Sequence, residues 1–344
     1  MFEDINLLTT NRRVVFYGAG QYANRFARTY CVEMQKLRLP DYVCDKDERK
    51  WGQPFFGTEI SPPARLYAED PANVVVVLAT NPFAVLADVR DRLYYYSFMP
   101  AMALEMKYCL SGYDPKTIES VRASFADAKS RLVFDTLTDG QAAGQIWFRS
   151  IYEFPPYFGN DVVPTLADGE ILVDAGAYTG DHIKAFERLN SRYAKVYAFE
   201  PYAPHLKAIE HRFAGEPRVL PMRAGLYSEN TKMAFDAQNP VGAHVLPRSG
   251  GGLKEESVVD VVRLDDAAPD ASYIKMDIEG AEIEAIYGAA NTIVNGRPKM
   301  AICVYHRPSD YIDIPSLVTS LRGDYKLFLR QHSPFNIDTV LYAV

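Results

Sequence analysis

Cysteine is scarce in this chain: four among 344 residues, Cys31, Cys44, Cys109 and Cys303, with no C-x-x-C pair. That scatter fits reduced thiols and excludes a disulfide framework or a zinc knot. A surplus of basic charge is missing too. At a formal net charge of −7, the chain has no cationic face for phosphate backbones or anionic lipid, so nucleic acid is not expected as a partner. Residues 1–13 carry Glu3 and Asp4 where a secretion signal would have a cationic start and an apolar core, so a cytoplasmic location is the expectation. Long apolar runs are lacking as well. The longest, residues 94–104, is broken by Pro100 and falls short of the roughly 20 residues that span a bilayer, so no membrane span is expected.

What the chain does have is an ordinary globular balance, 48% hydrophobic and 24% charged, at a length that suggests about two domains. Twenty-three tyrosines carry little weight, because most tyrosines simply bury a ring and keep the hydroxyl wet. From residue 13 the pattern runs strand, glycine turn, helix: Val14-Val15-Phe16, then Gly18-Ala-Gly20, then Tyr22, Phe26 and Tyr30 at near-helical spacing. A short strand at 42–44 ends in Asp45, and the branched run 74–79 reads as a strand covered on both faces. Strands alternating with helices predict a small parallel α/β domain over residues 1–112. Residues 113–160 read as a helical connector, with Ile118, Val121, Phe125, Leu132 and Phe134 at helical spacing, closed by the helix-breaking Phe154-Pro-Pro-Tyr-Phe158.

The alternation restarts over 161–344. Strands are expected at 171–175, 195–200, 219–224, 258–262, 273–277 and 299–305, with helices at 181–193 and 204–213. Two final strands, 325–331 and 339–344, are joined so tightly that they must be antiparallel.

The strongest constellation is Asp174-Ala-Gly176-Ala-Tyr178-Thr179-Gly180-Asp181, at the carboxyl end of the domain's first strand, where doubly wound sheets bind ligands. Glycines there admit a ligand close to the backbone, and the helix that follows offers free N–H groups. Glu200, in Phe199-Glu200-Pro201 at the end of the next strand, suits the two hydroxyls of a ribose. Together they describe a nucleoside pocket. Asp174 would repel a pyrophosphate, so NAD is disfavoured at this place and a cationic or amino-acid-bearing ligand is favoured. Lys275-Met-Asp277-Ile-Glu279-Gly-Ala-Glu282 and Tyr305-His306 also sit at strand ends, which should bring Asp277 and Glu279 into the same crevice.

The order of these blocks, with Arg223-Ala-Gly225-Leu226-Tyr-Ser228 and Leu264-Asp-Asp266 between them, resembles the FkbM family of S-adenosylmethionine-dependent methyltransferases over about residues 150–344. The resemblance implies a Rossmann-like, seven-stranded, mostly parallel sheet with an antiparallel last strand. It implies that Asp174, Gly176 and Gly180, with Tyr178 and Thr179 in the same turn, hold the methionine end of the cofactor. Glu200 and Pro201 would then meet its ribose, Gly225 and Leu226 would lie near its adenine, and Asp277 and Glu279 would belong to the reaction centre. Methyl transfer is an in-line displacement, so the residues there must align the acceptor and take or share its proton. His306 is the candidate general base, Asp277 could serve instead or orient the hydroxyl, and Lys275 could ease the developing charge. The expected acceptor is a small molecule or glycan, with a sugar hydroxyl as the methylated group. No metal is expected, because His182, His205, His211, His244 and His332 show no ligand spacing, although Asp277 and Glu279 could serve as oxygen ligands. Acceptor selection is expected in the loop 237–253.

In the first domain, Gly18, Gly20 and Gln21 open a G-x-G-x-x-A fingerprint followed by Asp45. Over residues 12–95 this resembles the nucleotide-binding domain at the start of some sugar-modifying acyltransferases. The alternative function is therefore an NAD(P)-dependent or nucleotide-sugar-modifying enzyme using that site. Its short-chain form lacks the required tyrosine and lysine pair on a helix, since the sole candidates, Tyr42 and Lys46, stand at a strand end.

Overall fold

The computed structural model describes residues 6–80, 97–138, 151–236, 244–246, 258–333 and 337–344. The chain divides into two compact units, Met1–Gly112 with Asp135–Phe148 and Tyr113–Phe134 with Arg149–Val344. Among the described residues no helix is long and apolar enough to cross a membrane.

In the first unit, strands β1 (Arg13–Tyr17), β2 (Tyr42–Cys44), β3 (Pro54–Phe55), β4 (Thr58–Ser61), β5 (Val74–Leu78) and β6 (Ser97–Pro100) form one sheet in the order β3-β4-β2-β1-β5-β6. The pairs β1-β2, β1-β5, β2-β4 and β5-β6 are parallel, and β3 runs antiparallel to β4. β5 is buried at every position, as its unbroken valine run requires. The β3-β4 hairpin escaped the sequence reading because its turn, Phe56-Gly57, puts a phenylalanine at φ 43° ahead of a glycine at φ 89°. Such a turn usually announces itself with Asn or Gly in both places.

The second unit holds a seven-stranded sheet ordered β16-β17-β15-β14-β7-β8-β9. Its strands are β7 (Ile171–Ala175), β8 (Lys195–Phe199), β9 (Val219–Met222), β14 (Tyr273–Met276), β15 (Lys299–Cys303), β16 (Leu327–Gln331) and β17 (Thr339–Ala343). All pairs are parallel except those of β17, which runs against both β15 and β16. The expected mostly parallel sheet with a reversed last strand is therefore present. The expected strand at 258–262 also forms, but in another place. As β13 (Val258–Val262) it joins β10 (Gly225–Leu226), β11 (Thr231–Asp236) and β12 (His244–Leu246) in a separate four-stranded sheet. Asp260 in its middle is exposed and pairs with Lys232 at 3.0 Å, which a strand covered on both faces of the main sheet could not tolerate.

Residues 113–160 include helices Pro115–Ser124 and Ala128–Thr138. Their junction runs along β16: Ala126 N–H donates to the Leu327 carbonyl, and Leu329 N–H donates to Ser130 Oγ. That covers the sheet edge, whose unpaired groups would otherwise stand open. Arg330 on β16 is 2% exposed and ends on Asp127, Glu153 and Asp161 at 2.7, 3.0 and 2.9 Å.

Candidate active site

Strand order reverses between β7 and β14, so the crevice opens at the carboxyl ends of β8, β7, β14 and β15, the switch point of the sheet. β7 leaves the sheet at Gly176, where φ is +74° and an added Cβ would stand 1.9 Å from the Asp277 carbonyl oxygen. Only glycine fits there. Gly180, at φ +80°, ends the turn, and a Cβ on it would press the Phe213 ring at 2.6 Å. Helix Asp181–Leu189 follows and buries Ile183 and Phe186 in the core.

A cavity of about 390 Å³ occupies this crevice, and Gly176, Tyr178, Glu200, Pro201, Gly225, Leu226, Lys275, Asp277 and Glu279 line it. These are nine of the expected site residues. Thr179 instead donates its hydroxyl to Asp181 within the turn, and Gly180 is taken up by the Phe213 contact. Asp174 is fully enclosed, and its carboxylate ends 3.0 Å from the Lys275 ammonium. Lys275 also donates to the Gly176 and Ala175 carbonyls at 2.9 and 3.3 Å. Burial disfavours the Lys275 charge, but the Asp174 and Asp277 carboxylates outweigh it and raise its pKa. Both groups thus hold the turn together from behind.

At one end of the cavity stands Glu200, 6% exposed. Its Oε2 accepts from Tyr178 N–H at 2.9 Å and its Oε1 from Tyr202 N–H at 2.8 Å. Burial pushes its carboxyl up to about 7 against the pull of those two amides. Beside it Tyr178 and Tyr202 meet the His205 ring edge-on at 4.2 and 4.7 Å, and Phe235 lines the same wall.

At the other end Asp277 accepts from Tyr157 Oη at 3.1 Å and Tyr305 Oη at 3.2 Å. Burial opposes its charge, yet His306 and Lys275 hold its pKa well below the usual carboxylate range. Glu279 has moved the opposite way, up to about 7, through burial and the nearby Asp277 and Glu282, against His306. Asp338, which also lines the cavity, is raised to about 6 by burial and Asp277. His306 stands behind these acids with a side chain 6% exposed, 3.4 Å from Asp277, 3.7 Å from Glu279 and 2.9 Å from Glu282. Burial would lower its pKa, but Glu282 and Asp277 raise it well above the ordinary value.

Tyr157, Tyr178, Glu279 and Asp338 all hold φ between 49° and 65°, in a region that costs a non-glycine residue of order 1 kcal/mol or more and that concentrates at functional sites. Sequence reasoning missed Tyr157, Tyr305, Asp338, His205 and Phe235. Tyr157 lay in the proline cluster read as a linker, and no motif marks a tyrosine that reaches Asp277 across 120 residues. The acceptor loop 237–253 lies outside the described residues apart from 244–246.

In the first unit the glycine turn is closed by its own acid. Asp45 accepts from Ala19 N–H, Asp47 N–H and the Lys50 ammonium, each at 2.8 Å. A Cβ on Gly18 would meet Thr80 at 2.6 Å, so that glycine answers to packing. Gly20 only precedes the six-residue helix Gln21–Phe26.

Known proteins similar to this chain include methyltransferases. Residues 174–327 match the family described as the methyltransferase FkbM domain. The hexuronic acid methyltransferase AglP of Haloferax volcanii is 24% identical over 159 residues, 45% of this chain and 64% of its own length. The match thus spans less than two thirds of that relative. The methyltransferase FkbM of Methylobacillus flagellatus KT superposes with a TM-score of 0.67 at 19% identity, over 97% of this chain and 90% of its own, and so shares the fold. Over residues 174–327, the chain is thus similar to the methyltransferase FkbM domain family.

Proposed function

We propose that the chain is an S-adenosylmethionine-dependent methyltransferase that methylates a hydroxyl oxygen of a sugar. One observation carries the reading: a single cavity has an amide-anchored buried acid, Glu200, at one end and the acids Asp277, Glu279 and Asp338 at the other. The family match supports methyl transfer, and the substrate named for the Haloferax relative supports a sugar acceptor.

The residues present fit the cofactor. Each Glu200 oxygen takes one backbone amide, which leaves a free lone pair on both for the two hydroxyls of a ribose. Gly176 offers bare backbone where any side chain would collide. When bound, S-adenosylmethionine supplies an electrophilic methyl on a sulfonium, whose positive charge suits the acidic end of the cavity. Asp174 and Lys275 act through the turn they hold, as positioning residues.

The work left to the chain is alignment and proton handling. Tyr157 and Tyr305 fix Asp277 by one hydrogen bond to each oxygen. With its proton affinity so reduced, Asp277 serves to orient the acceptor hydroxyl. The proton leaves toward Asp338 on the cavity wall, whose carboxyl has moved to about 6, close to the working range of a general base. His306, expected as the base, stands behind Asp277 and Glu279 and does not take that role.

Methyl-labelled cofactor incubated with neutral, amino and acidic sugars, free and nucleotide-linked, tests the proposal. The expected product carries the label in an alkali-stable ether. Label released by mild alkali would mean an ester and overturn the hydroxyl assignment. No transfer to any sugar would remove the acceptor class.

A further inference from the structure

Building on the methyl-transfer reading of this cavity, we propose that Asp277, Glu279 and His306 together bind one divalent cation of the Mg²⁺ or Mn²⁺ class. Asp277 and Glu279 come from the turn after β14 and His306 from the chain after β15, so two adjacent strand ends bring the three together. One donor atom from each lies within 4.8 Å of the others. The histidine is the telling member. Its side chain is 6% exposed, and neither ring nitrogen makes an aligned hydrogen bond.

Its surroundings say how the ring is used. Nδ1 stands 2.9 Å from Oε1 of Glu282, a residue 1% exposed. A carboxylate at that place holds the ring proton on Nδ1, the outer-shell arrangement found behind metal-binding histidines. Nε2 then faces Asp277 Oδ1 at 3.4 Å and Glu279 Oε2 at 3.7 Å, and a cation bound there would displace the proton on Nε2 and take its lone pair. An N–H···O bond closes to about 2.7–3.2 Å, so these separations are too long for a proton to bridge well. Ligands about 2.1 Å from a shared ion stand roughly 3.0–3.4 Å apart at octahedral to tetrahedral angles, which brings the observed spacing within a small side-chain adjustment. Two carboxylates and one imidazole form a hard donor set that suits Mg²⁺ or Mn²⁺, with Zn²⁺ as a competitor through its nitrogen ligand.

Charge points the same way. Asp277, Glu279 and Glu282 crowd one imidazole, and Asp338 adds a fourth carboxyl to the cavity wall. The His306 ring and the Asp174-paired Lys275 answer only part of that charge, and four carboxyls drawn together out of water favour a further counter-charge. Asp277 and Glu279 also line the cavity, so the open coordination positions of a cation between them face the acceptor end. Neighbouring hydroxyls of a sugar ring are the ligand class that would fill them. The sequence expectation of no metal rested on the spacing of the other five histidines, and this cluster forms only when the strand ends come together.

Electron paramagnetic resonance of Mn²⁺ titrated into the purified full chain reads the site without any turnover. The expected result is one tightly held Mn²⁺ per chain, displaced by Mg²⁺, with binding at least tenfold weaker in Glu279→Gln and in Asp277→Asn. Thermal melting confirms that each variant is folded. No Mn²⁺ retained by the wild type would overturn the proposal, as would retention unchanged in both folded variants. A parallel titration with S-adenosylhomocysteine separates the two levels. A wild type that binds the nucleoside but no Mn²⁺ loses the cation and keeps the methyltransferase reading, whereas one that binds Mn²⁺ at these residues but no nucleoside keeps the cation site and loses that reading.

Discussion

Replacing Lys275 by methionine removes one half of an ion pair that has no access to water. The Lys275 and Asp174 side chains are 1% and 0% exposed, 3.0 Å apart, and neither Asp174 oxygen has an aligned hydrogen bond of its own. Loss of the ammonium strands a buried carboxylate, a change that costs about 3–5 kcal/mol. It also removes the donor that binds the Gly176 and Ala175 carbonyls, so the turn loses its tie to β14. In a domain of roughly 200 residues each kcal/mol moves Tm by about 2–4 °C, and Lys275→Met should therefore lower Tm by about 6–20 °C. The double variant Asp174→Leu/Lys275→Met removes both charges and should recover most of that loss, because an apolar pair of similar volume often substitutes at little cost. Scanning calorimetry of wild type, both single variants and the double variant closes the cycle. A Lys275→Met protein melting within a degree of wild type would mean that the buried pair does not hold the turn, and so would a double variant less stable than either single one.

Other consequences can be measured on the same protein. Gly176→Ala drives a methyl group onto the Asp277 carbonyl at 1.9 Å, and the positive φ adds about 1 kcal/mol. Loss of at least 2 kcal/mol and weakened S-adenosylhomocysteine binding are expected, and unfolding in urea combined with calorimetry checks both. Glu200 carries its proton in the folded state up to about 7, against about 4.3 when unfolded. Its contribution to stability is therefore whole below pH 4 and lost as pH rises to 7, by at most about 4 kcal/mol. Glu200→Gln should thus gain on the wild type between pH 5 and pH 8, and an unchanged difference in unfolding free energy between those pH values would contradict the shift. Tyr157→Phe removes one of the two hydroxyls on Asp277. It should lower kcat about tenfold or more with little change in cofactor affinity, and steady-state kinetics beside a binding titration separates the two effects.

Much of the second unit was legible in the sequence, for a local reason. Buried parallel strands are written as short branched runs, and the turns after them need glycine where backbone approaches backbone, as at Gly176. Such signals lie within ten residues of one another. Val258–Val262 shows the limit: its residues announce a strand, but the sheet it joins depends on pairing with β10 and β11. The site divides along the same line. Asp277, Glu279 and Glu200 stand where a strand ends, and strand ends could be counted from hydrophobic pattern alone. Tyr157 and Asp338 reach the cavity through turns at positive φ, which the residue types do not advertise. Lys275 could be placed near the cavity but not oriented, because the partner that claims it, Asp174, lies on a neighbouring strand in register with it. Asp45 teaches the same about the first unit. An acid after the second strand matches a ribose site by position, and the fold adds that it accepts from the glycine turn, at Ala19 N–H.

On the methyl-transfer reading, the crevice from Glu200 to Asp277 receives a sulfonium nucleoside. Titration calorimetry of the purified chain with S-adenosylhomocysteine tests it most directly, with Glu200→Ala as the paired variant. One site per chain is expected in the wild type and binding about tenfold weaker or more in the variant, since two hydroxyl hydrogen bonds to the Glu200 carboxyl together contribute about 1–3 kcal/mol. Absence of heat or saturation in the wild type, or equal affinity in the folded variant, would contradict it.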